Sequence, residues 1–370
     1  MVAREADVVV IGGGLIGTSV AFRLARKGKH VVLLERDTLA SGASGASFGW
    51  VTVHFASYMP EYPDYHMRLM AAGLAAFAEL AAELGEEIDW HQTGGLSLVY
   101  SEEEQERQSE LCRRLNGAGI AARMVSRAEV EELEPALGGP FIGALWSPGE
   151  ALVNPLLMVR TFAREARRHG AEILTGTPAL GVEVRDGAVV GVATPEGLVR
   201  APAVVNAAGL DGPAVASLVE LDLPIGPSRG QQLVVQGKEN LISAAVYGQG
   251  LVRRIGASTY IVGGLREEVH AKVLTPAGIA ALARMAVELV PALRGSTVTR
   301  AFVGLRPIPG DGKPIWGPVP GVRGYFLANL HFGVTLAPLT GHVVTSYVLG
   351  EEPELDVGEY RIYRFLAGPS

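Results

Sequence analysis

The chain has little cysteine, which limits the kinds of site and stabilisation it can contain. Its 370 residues include one cysteine, Cys112. A single thiol excludes an internal disulfide and cannot by itself supply a cysteine-based zinc or iron–sulfur site. This sparing use of cysteine fits a reducing compartment. We therefore predict a cytoplasmic protein without a metal site.

The chain also has fewer basic than acidic residues. The chain has 32 lysine and arginine residues against 39 aspartate and glutamate residues, a formal net charge of −7. An acidic balance gives no reason to expect nucleic acid or an anionic membrane surface as a partner. Hydrophobic residues make up 48% of the chain and charged residues 19%, which is typical of a globular protein with a sizeable core.

Long apolar runs suited to a membrane are missing as well. One charge-free stretch, residues 324–350, is long enough in principle to span a bilayer. It contains Asn329, Pro338 and His342, which suit an interior strand, a turn and a buried helix better. Near the amino terminus, the apolar run Val8–Ile11 is too short for a signal-peptide core. We predict no integral membrane segment.

Glycine, in contrast, is abundant at 47 residues, and three glycines form a motif. Gly12, Gly14 and Gly17 spell G-x-G-x-x-G between a predicted strand, residues 7–11, and a predicted helix, residues 15–27. The first glycine permits a tight turn, the second lets a pyrophosphate approach the backbone, and the third lets the helix pack on the strand. Phosphates would then meet the N–H groups at the positive end of the helix. The motif predicts a dinucleotide site.

Three further segments bear on which dinucleotide is bound. Glu35 ends a second predicted strand, Val31–Leu34, where its carboxylate can accept hydrogen bonds from ribose hydroxyls. That acid alone does not separate FAD from NAD. The small residues of the loop 41–49 let the backbone pass close to a long extended ligand such as FAD. Another strand, residues 204–208, ends in Gly209 and would bring a second turn to the same cofactor.

Nucleotide-type and antiparallel segments interleave along the chain. The first strand, helix and second strand imply a parallel βαβ unit, whereas 231–236, 251–255 and 259–264 are typical of antiparallel strands. We predict an α/β fold in which a Rossmann-like FAD-binding domain is interleaved with an antiparallel-sheet substrate domain. The predicted FAD-binding domain comprises 1–90, 146–225 and 300–370, and the predicted substrate-binding domain comprises 91–145 and 226–299.

Eight short motifs follow one another over most of the chain: DVVVIGGGLIG (7–17), LER (34–36), SGAS (41–44), LEP (133–135), NP (154–155), GLRP (304–307), DGKP (311–314) and GVTLAPLTG (333–341). In this order they resemble the D-amino-acid oxidase superfamily of flavoproteins, nearest its glycine oxidase, sarcosine oxidase and bacterial D-amino-acid dehydrogenase branches. Residues 6–50 resemble the amino terminus of that superfamily.

The resemblance implies a GR2-type FAD-binding domain. Because Cys112 lies in a charged segment far from the flavin motifs, a thioether link is not expected, and FAD should be bound noncovalently unless a histidine links it. A helix starting near Ala337 would direct N–H groups and a partial positive charge at the negative charge of reduced flavin. The implied FAD-binding residues are Gly12, Gly14, Leu15, Ile16, Gly17, Glu35, Arg36, Ser41, Ala43, Ser44, Val182 (through its backbone, to adenine), Gly209, and Gly333, Val334, Thr335 and Leu336 at the isoalloxazine ring.

Arg306 is the residue expected to bind the substrate. It follows a predicted strand, residues 297–305, and Pro307 is expected to turn the chain away after it. The planar guanidinium can pair bidentately with a carboxylate, and in the family the arginine of GLRP holds the amino acid carboxylate. The alternative is a structural arginine paired with an acid in the same sheet.

Tyr247, His54 and His331 are further candidates on the substrate side. Tyr247 resembles a family segment that supplies a tyrosine to the site, although related chains use the position of Leu251 and a core tyrosine is the alternative. Either histidine could accept or steer a proton near the substrate amine. The alternative for both is a hydrogen-bonded interior histidine.

The resemblance implies FAD-dependent oxidative deamination or demethylation of a small amino acid or secondary amine, such as glycine, sarcosine, D-proline or another D-amino acid. Hydride would pass from the α-carbon to flavin N5, with oxygen or an electron carrier as the acceptor. The alternatives are the flavin subunit of a heteromeric amino-acid dehydrogenase and a non-catalytic flavin-binding assembly subunit. An NAD-dependent dehydrogenase would leave 204–209 and 333–341 without a role.

Overall fold

A computed structural model describes residues 4–53 and 64–366. Its strands are β1 (Arg4–Glu5), β2 (Val8–Ile11), β3 (Val31–Leu34), β4 (Trp50–Val51), β5 (Gly95–Val99), β6 (Arg123–Ser126), β7 (Gly143–Ser147), β8 (Ala151–Leu152), β9 (Glu172–Leu174), β10 (Gly181–Arg185), β11 (Ala188–Thr194), β12 (Gly197–Arg200), β13 (Ala203–Asn206), β14 (Ile225–Gln236), β15 (Ala245–Tyr247), β16 (Leu251–Arg254), β17 (Thr259–Gly263), β18 (Thr297–Pro309), β19 (Ile315–Pro318) and β20 (Tyr325–Asn329). Its α-helices are α1 (Leu15–Arg26), α2 (Asp64–Leu84), α3 (Glu102–Gly117), α4 (Arg127–Leu133), α5 (Pro155–Arg168), α6 (Gly212–Ala216), α7 (Pro276–Leu289), α8 (Gly333–Leu349) and α9 (Tyr363–Leu366).

The chain divides into two units, each assembled from segments distant in sequence. The first unit contains the described parts of Met1–Ser47, Pro155–Ser228 and Leu305–Ser370, and the second those of Phe48–Asn154 and Arg229–Gly304.

These bounds differ from the predicted domains, which assign 48–90 and 146–154 to the FAD-binding domain. In the structure, β4 and β8 pair within the second unit, with Trp50 opposite Leu152. Both side chains pack against Ala245 of the same unit. Local strand pairing therefore places both stretches with the second unit.

The first unit is built around a six-stranded sheet in the order β19-β20-β13-β2-β3-β9. All neighbouring pairs from β20 to β9 are parallel, and only β19 runs antiparallel. Strands β2 and β3 are buried along their whole length, as expected for apolar runs in a sheet covered on both faces. The predicted α/β class is confirmed, and the carboxyl ends of the parallel strands meet at one edge.

Helices α1 and α8 of the first unit approach each other at small residues. The Ser19 hydroxyl on α1 donates to the backbone oxygen of Ala337 on α8 at 2.8 Å. A Cβ atom on Gly341 would lie 3.2 Å from the backbone oxygen of Ser19 and 3.1 Å from Cγ of Arg23. Glycine therefore sets the separation of these two helices.

The charge-free stretch 324–350 forms β20 and α8, which are largely buried in the first unit. Interior burial accounts for its lack of charge. Within residues 4–53 and 64–366, no helix combines the length and the apolar character that crossing a membrane requires.

The second unit contains most of an eight-stranded sheet in the order β18-β14-β17-β16-β15-β5-β7-β6. Its pairings β14–β17–β16–β15 and β5–β7–β6 are antiparallel, while β15 and β5 run parallel.

The LEP motif, residues 133–135, has a structural role in the second unit. The buried Glu134 carboxylate accepts hydrogen bonds from the backbone N–H groups of Ser243 and Ala244, and burial raises the pKa of that carboxyl.

Replacing Gly341 by alanine is expected to lower the free energy of unfolding by about 1–3 kcal/mol, because the added methyl meets the backbone of α1. Gly117, the last residue of α3, is the matched control. A Cβ there would meet nothing within 4 Å, so Gly117→Ala should be neutral or stabilising by up to about 1 kcal/mol. Urea unfolding followed by circular dichroism measures both. Equal destabilisation by the two substitutions would contradict the close helix approach.

Candidate cofactor and substrate site

The glycine loop after β2 has no space for a side chain at Gly12 or Gly17. Gly12 has a φ of +117°, and a Cβ there would lie 2.5 Å from the backbone oxygen of Ala207. A Cβ on Gly17 would overlap the carbonyl oxygen of Gly12. Gly14 caps α1 without a side-chain acceptor of its own. The loop thus presents bare backbone at the positive end of a helix, the arrangement that binds phosphates.

The loop after β3 packs against the glycine loop. The Ser44 hydroxyl accepts a hydrogen bond from the backbone N–H of Leu15 at 3.0 Å, and the Ala40 N–H donates to the Gly13 oxygen at 3.0 Å. Ala43 and Ser44 belong to a short 3-10 helix, Ala43–Ala46. The structure therefore brings the predicted segments 12–17 and 41–44 together, with Ile16 in the first turn of α1 and Ser41 exposed beside the loop.

Glu35 directly follows β3 and has a buried carboxylate. One oxygen accepts the backbone N–H of Gly13 at 2.7 Å and the other accepts the N–H of Asp37 at 2.8 Å. Each carboxylate oxygen can accept more than one hydrogen bond, so both retain capacity for ribose hydroxyls. The bond to Gly13 was not anticipated from the sequence, although this residue lies within the motif.

Arg36 is exposed and forms an ion pair with Asp211. Its Nη1 donates to Oδ1 at 3.1 Å and its Nη2 lies 2.9 Å from Oδ2. Asp211 ends the 3-10 helix Gly209–Asp211, which comes after β13. The pair connects the ends of β3 and β13. Asp211 is not among the residues predicted from the sequence. Its one distinguishing feature there is that it is an acid two residues after Gly209.

The carboxyl end of β13 is fixed by a polar network. The Asn206 amide donates to the Gly212 oxygen at 2.9 Å and to the Tyr325 hydroxyl at 3.1 Å. The Tyr325 hydroxyl donates to the Val215 oxygen at 3.2 Å, and burial raises the pKa of that phenol. Gly209 comes next with a φ of +57°. The turn predicted at Gly209 therefore lies at the same edge as the glycine loop.

Helix α8 begins at Gly333, four residues before the predicted start near Ala337. Gly333, Val334, Thr335 and Leu336 form its first turn. The helix is capped by Phe332, whose φ of +59° is left-handed, and the Leu336 N–H donates to the Phe332 oxygen at 3.1 Å. A left-handed aromatic residue costs about 1–2 kcal/mol and gives no signal in the sequence. The half-buried His331 ring lies 4.2 Å from the Phe332 ring, centroid to centroid.

Val182 lies on β10 of a separate four-stranded sheet. It pairs with Val192, and its side chain is part of a hydrophobic cluster. Only its backbone is left to contact a ligand.

The expectation that the chain turns away after Arg306 is wrong. Strand β18 continues through Pro307 to Pro309. It is the outermost strand of its sheet, and proline, which lacks an N–H, is tolerated on an edge strand because its outer side has no partner strand. A Cβ on Gly209 would lie 3.9 Å from Cγ of Pro307, so the residue after the half-buried Arg306 lies against the Gly209 turn.

Tyr247, another substrate-side candidate, is half-buried on β15 of the second unit. It lies opposite Leu251 in the strand register and packs against the cluster of Trp50, Leu152 and Ala245. His54 lies outside the described residues. Over the ranges 4–53 and 64–366, no group of three or more acidic, histidine or cysteine side chains is arranged to hold a metal ion.

The first unit fits FAD. Three of its features suit an adenine dinucleotide: glycines that admit no side chain, an acid with spare acceptor capacity, and a helix start without a side-chain cap. The start of α8, whose N-cap Phe332 makes no side-chain cap hydrogen bond, offers a second set of N–H groups at the same sheet edge.

Gly17→Ala is expected to abolish or strongly weaken FAD binding, because the new methyl would push α1 away from the carbonyl of Gly12. The visible flavin absorbance of the purified protein, with and without added FAD, measures this. Gly226→Ala is the control, since a Cβ on Gly226 meets nothing within 4 Å. Full FAD content in Gly17→Ala would contradict the proposed loop geometry.

Comparison with known proteins agrees with this site. The family model described as "FAD dependent oxidoreductase" (DAO) matches residues 7–347. Glycine oxidase from Bacillus licheniformis is 30% identical over 360 residues, covering 94% of each chain. Glycine oxidase from Bacillus subtilis is 29% identical over 360 residues, covering 95% of each chain. The crystal structure of glycine oxidase from Geobacillus kaustophilus matches with a TM-score of 0.89 and 26% identity, covering 97% of this chain and 99% of that one. The chain therefore belongs to the D-amino-acid oxidase (DAO) family of FAD-dependent oxidoreductases, as its resemblance predicts, with FAD as the cofactor.

Proposed function

We propose that this oxidoreductase acts on a small amino acid or secondary amine whose carboxylate is bound by Arg306. Glycine, sarcosine, D-proline and other small D-amino acids are the candidate substrates. The observation that supports the proposal is the approach of Pro307 to the Gly209 turn, because Arg306 is the neighbour of Pro307 in β18. The glycine oxidases among its relatives support a substrate of this size.

Arg306 would contribute to the reaction by orienting the substrate. Its planar guanidinium donates two parallel hydrogen bonds to a carboxylate, which fixes the substrate in both position and rotation. Holding reactants in a productive geometry removes about 7–11 kcal/mol from the barrier of a bimolecular reaction. The substrate amine enters the reaction neutral, so a strong general base is not required. Water then hydrolyses the imine product to a keto acid or glyoxylate and an amine.

FAD bound in the first unit supplies the acceptor for the hydride that leaves the substrate α-carbon. The glycine loop and Ser44 would hold its pyrophosphate, and Glu35 its ribose. The backbone N–H groups that precede Leu336 at the start of α8, and the partial positive charge of that helix, would stabilise negative charge on the ring system. Noncovalent binding is supported by Cys112, whose buried thiol contacts the Asn116 side chain and has its pKa raised by burial.

Proton steering near the substrate amine is assigned to His331, which directly precedes the Phe332 cap of α8. Tyr247 and His54 remain predicted substrate-side residues. Oxygen or an electron carrier regenerates the oxidised cofactor, and a cytoplasmic location remains a prediction.

Arg306→Ala is expected to raise KM for carboxylate-bearing amines about ten- to hundredfold, since a hydrogen-bonded charged pair is worth about 1.5–3 kcal/mol. FAD content should stay unchanged. Arg306→Lys should recover part of the loss, because it restores the charge but not the bidentate geometry. Arg185→Ala is the control, because Arg185 is exposed on β10, where it pairs with Glu183. Steady-state kinetics measure all three variants, and an unchanged KM in Arg306→Ala would remove Arg306 from the site.

The activity itself is tested by adding glycine, sarcosine, D-proline and D-alanine anaerobically to the FAD-loaded protein. Loss of visible flavin absorbance with one of them is the expected result and identifies the substrate class. A yellow protein that none of them bleaches would contradict the proposal and favour a subunit that works only with a partner.

A further inference from the structure

The guanidinium of Arg36 in the first unit is held by two carboxylates. Its Nη1 donates to Oδ1 of Asp211 at 3.1 Å, and its Nη2 lies 2.9 Å from Oδ2 of the same side chain. Its Nε lies 3.3 Å from Oδ2 of Asp37. Each of the three nitrogen atoms therefore meets a carboxylate oxygen, and contacts at both ends of the group fix the direction in which its plane faces.

The charges around Arg36 disfavour a phosphate as its ligand. One guanidinium is surrounded by the carboxylates of Glu35, Asp37 and Asp211, so acidic groups outnumber the basic one. The nitrogen atoms that would bind phosphate oxygens are already in contact with carboxylates. A second anion at this place would be repelled. The arrangement favours a neutral group of the cofactor over its pyrophosphate.

The flat faces of the guanidinium are what Arg36 has left to offer a ligand. Its side chain is 58% exposed even though its nitrogen atoms are paired. Two other arginines of the first unit have their guanidinium over a ring: Arg361 lies 5.0 Å from the Tyr347 centroid and Arg364 lies 4.5 Å from the Phe365 centroid. A guanidinium plane stacks readily on a planar ring system.

The planar group that would come nearest to Arg36 is the adenine of FAD. Glu35, whose carboxylate is assigned to the ribose of the adenosine half, directly precedes Arg36. Adenine is bonded to that ribose and is neutral. The backbone here is also fixed, because the Thr177 N–H donates to the Glu35 oxygen and the Gly176 N–H donates to the Asp37 oxygen, both at 2.9 Å.

We propose that Asp211 is a positioning residue for the cofactor: together with Asp37, it holds the Arg36 guanidinium flat against the adenine ring of FAD. Arg36 contacts the base, and Asp211 acts through Arg36. The inference concerns the adenosine half of the cofactor. It goes beyond the proposed function and is independent of which amine the enzyme oxidises.

The test measures cofactor affinity and needs no turnover. The holoenzyme is diluted, released FAD is separated by ultrafiltration and quantified by chromatography, and the Kd for FAD is obtained. ADP, which carries the adenosine half, and FMN, which carries the flavin half, are then added as competitors. The three affinities are compared for the wild type, Asp211→Ala, Asp211→Glu, Arg36→Ala and Arg36→Lys.

We expect Asp211→Ala and Arg36→Ala to weaken the binding of both FAD and ADP about three- to tenfold, as for loss of one stacked cation. FMN affinity should stay unchanged, because FMN has no adenine. Arg36→Lys should lose as much as Arg36→Ala, since an ammonium group keeps the charge but has no plane. Asp211→Glu should recover part of the loss, because it restores a carboxylate.

A role for Arg36 in binding phosphate gives the opposite results. Removal of Asp211 would then leave the cation free and tighten ADP binding, and Arg36→Lys would retain most of the affinity. Either result overturns the proposal. Unchanged affinities for FAD and ADP in Asp211→Ala also overturn it, as does an equal loss for ADP and FMN, which would show that the ion pair only connects the ends of β3 and β13.

Glu352→Ala is the matched control, because it removes the carboxylate of another exposed arginine pair of the first unit. Glu352 lies 3.1 Å from Arg361, beyond the carboxyl end of α8. Its replacement should leave all three affinities unchanged. Urea unfolding followed by circular dichroism checks that each variant is folded. If Asp211→Ala does not fold, Asp211→Asn replaces it, with the same expected losses, because it keeps the shape of the side chain and removes its charge.

Discussion

The first unit depends on the contact between the start of α1 and the end of β2. Gly17 meets the carbonyl of Gly12, and Gly12 meets the backbone of Ala207, so neither position has room for one additional carbon atom. This contact fixes α1 against the sheet. Because Ser19 of α1 is bonded to Ala337 of α8, the position of the second helix depends on that of the first. The close contact among Gly12, Gly17 and Ala207 therefore helps to set the positions of both α1 and α8.

The cofactor edge is made mostly of backbone. Strands β2, β3, β13 and β20 end side by side and lead into a glycine loop, one acid, a left-handed glycine and the start of a helix. Its charged side chains are already engaged: Glu35 accepts two backbone N–H groups, and Arg36 is paired with Asp211. Such a surface binds and polarises a cofactor through fixed dipoles. It leaves the redox chemistry to the cofactor itself, as is usual for cofactor-dependent enzymes.

How much could be predicted from sequence depends on how local each constraint is. The glycine loop and Glu35 were predictable because a strand, a turn and a helix within 30 residues impose them. The path of the chain after Arg306 was not predictable. Pro307 is compatible with a strand at the edge of a sheet, and the local sequence does not indicate that β18 lies at an edge. The start of α8 depends on a left-handed Phe332, which no local rule favours. The partner of Arg36 lies 175 residues away.

Arg253, which is 5% exposed, is a further example of a residue whose burial the sequence does not indicate. In the sequence it is one of two consecutive arginines in a short strand, and nothing there separates it from Arg254. The alternation of a strand places the two on opposite faces, and only the packing of Phe48 and β17 buries one of them. Its burial is thus a property of the sheet and not of its neighbours in the chain.

The segmental construction of the first unit has a consequence for biosynthesis. Strand β20 pairs with β13, yet more than 100 residues, including β14 to β18, are made between them. Until β20 emerges from the ribosome, the nascent sheet of β9, β3, β2 and β13 has an open parallel edge of apolar residues, which is prone to unwanted strand pairing. Helix α8, which completes the flavin edge, is made later still. The edge that holds the cofactor is therefore complete only after α8 has been made.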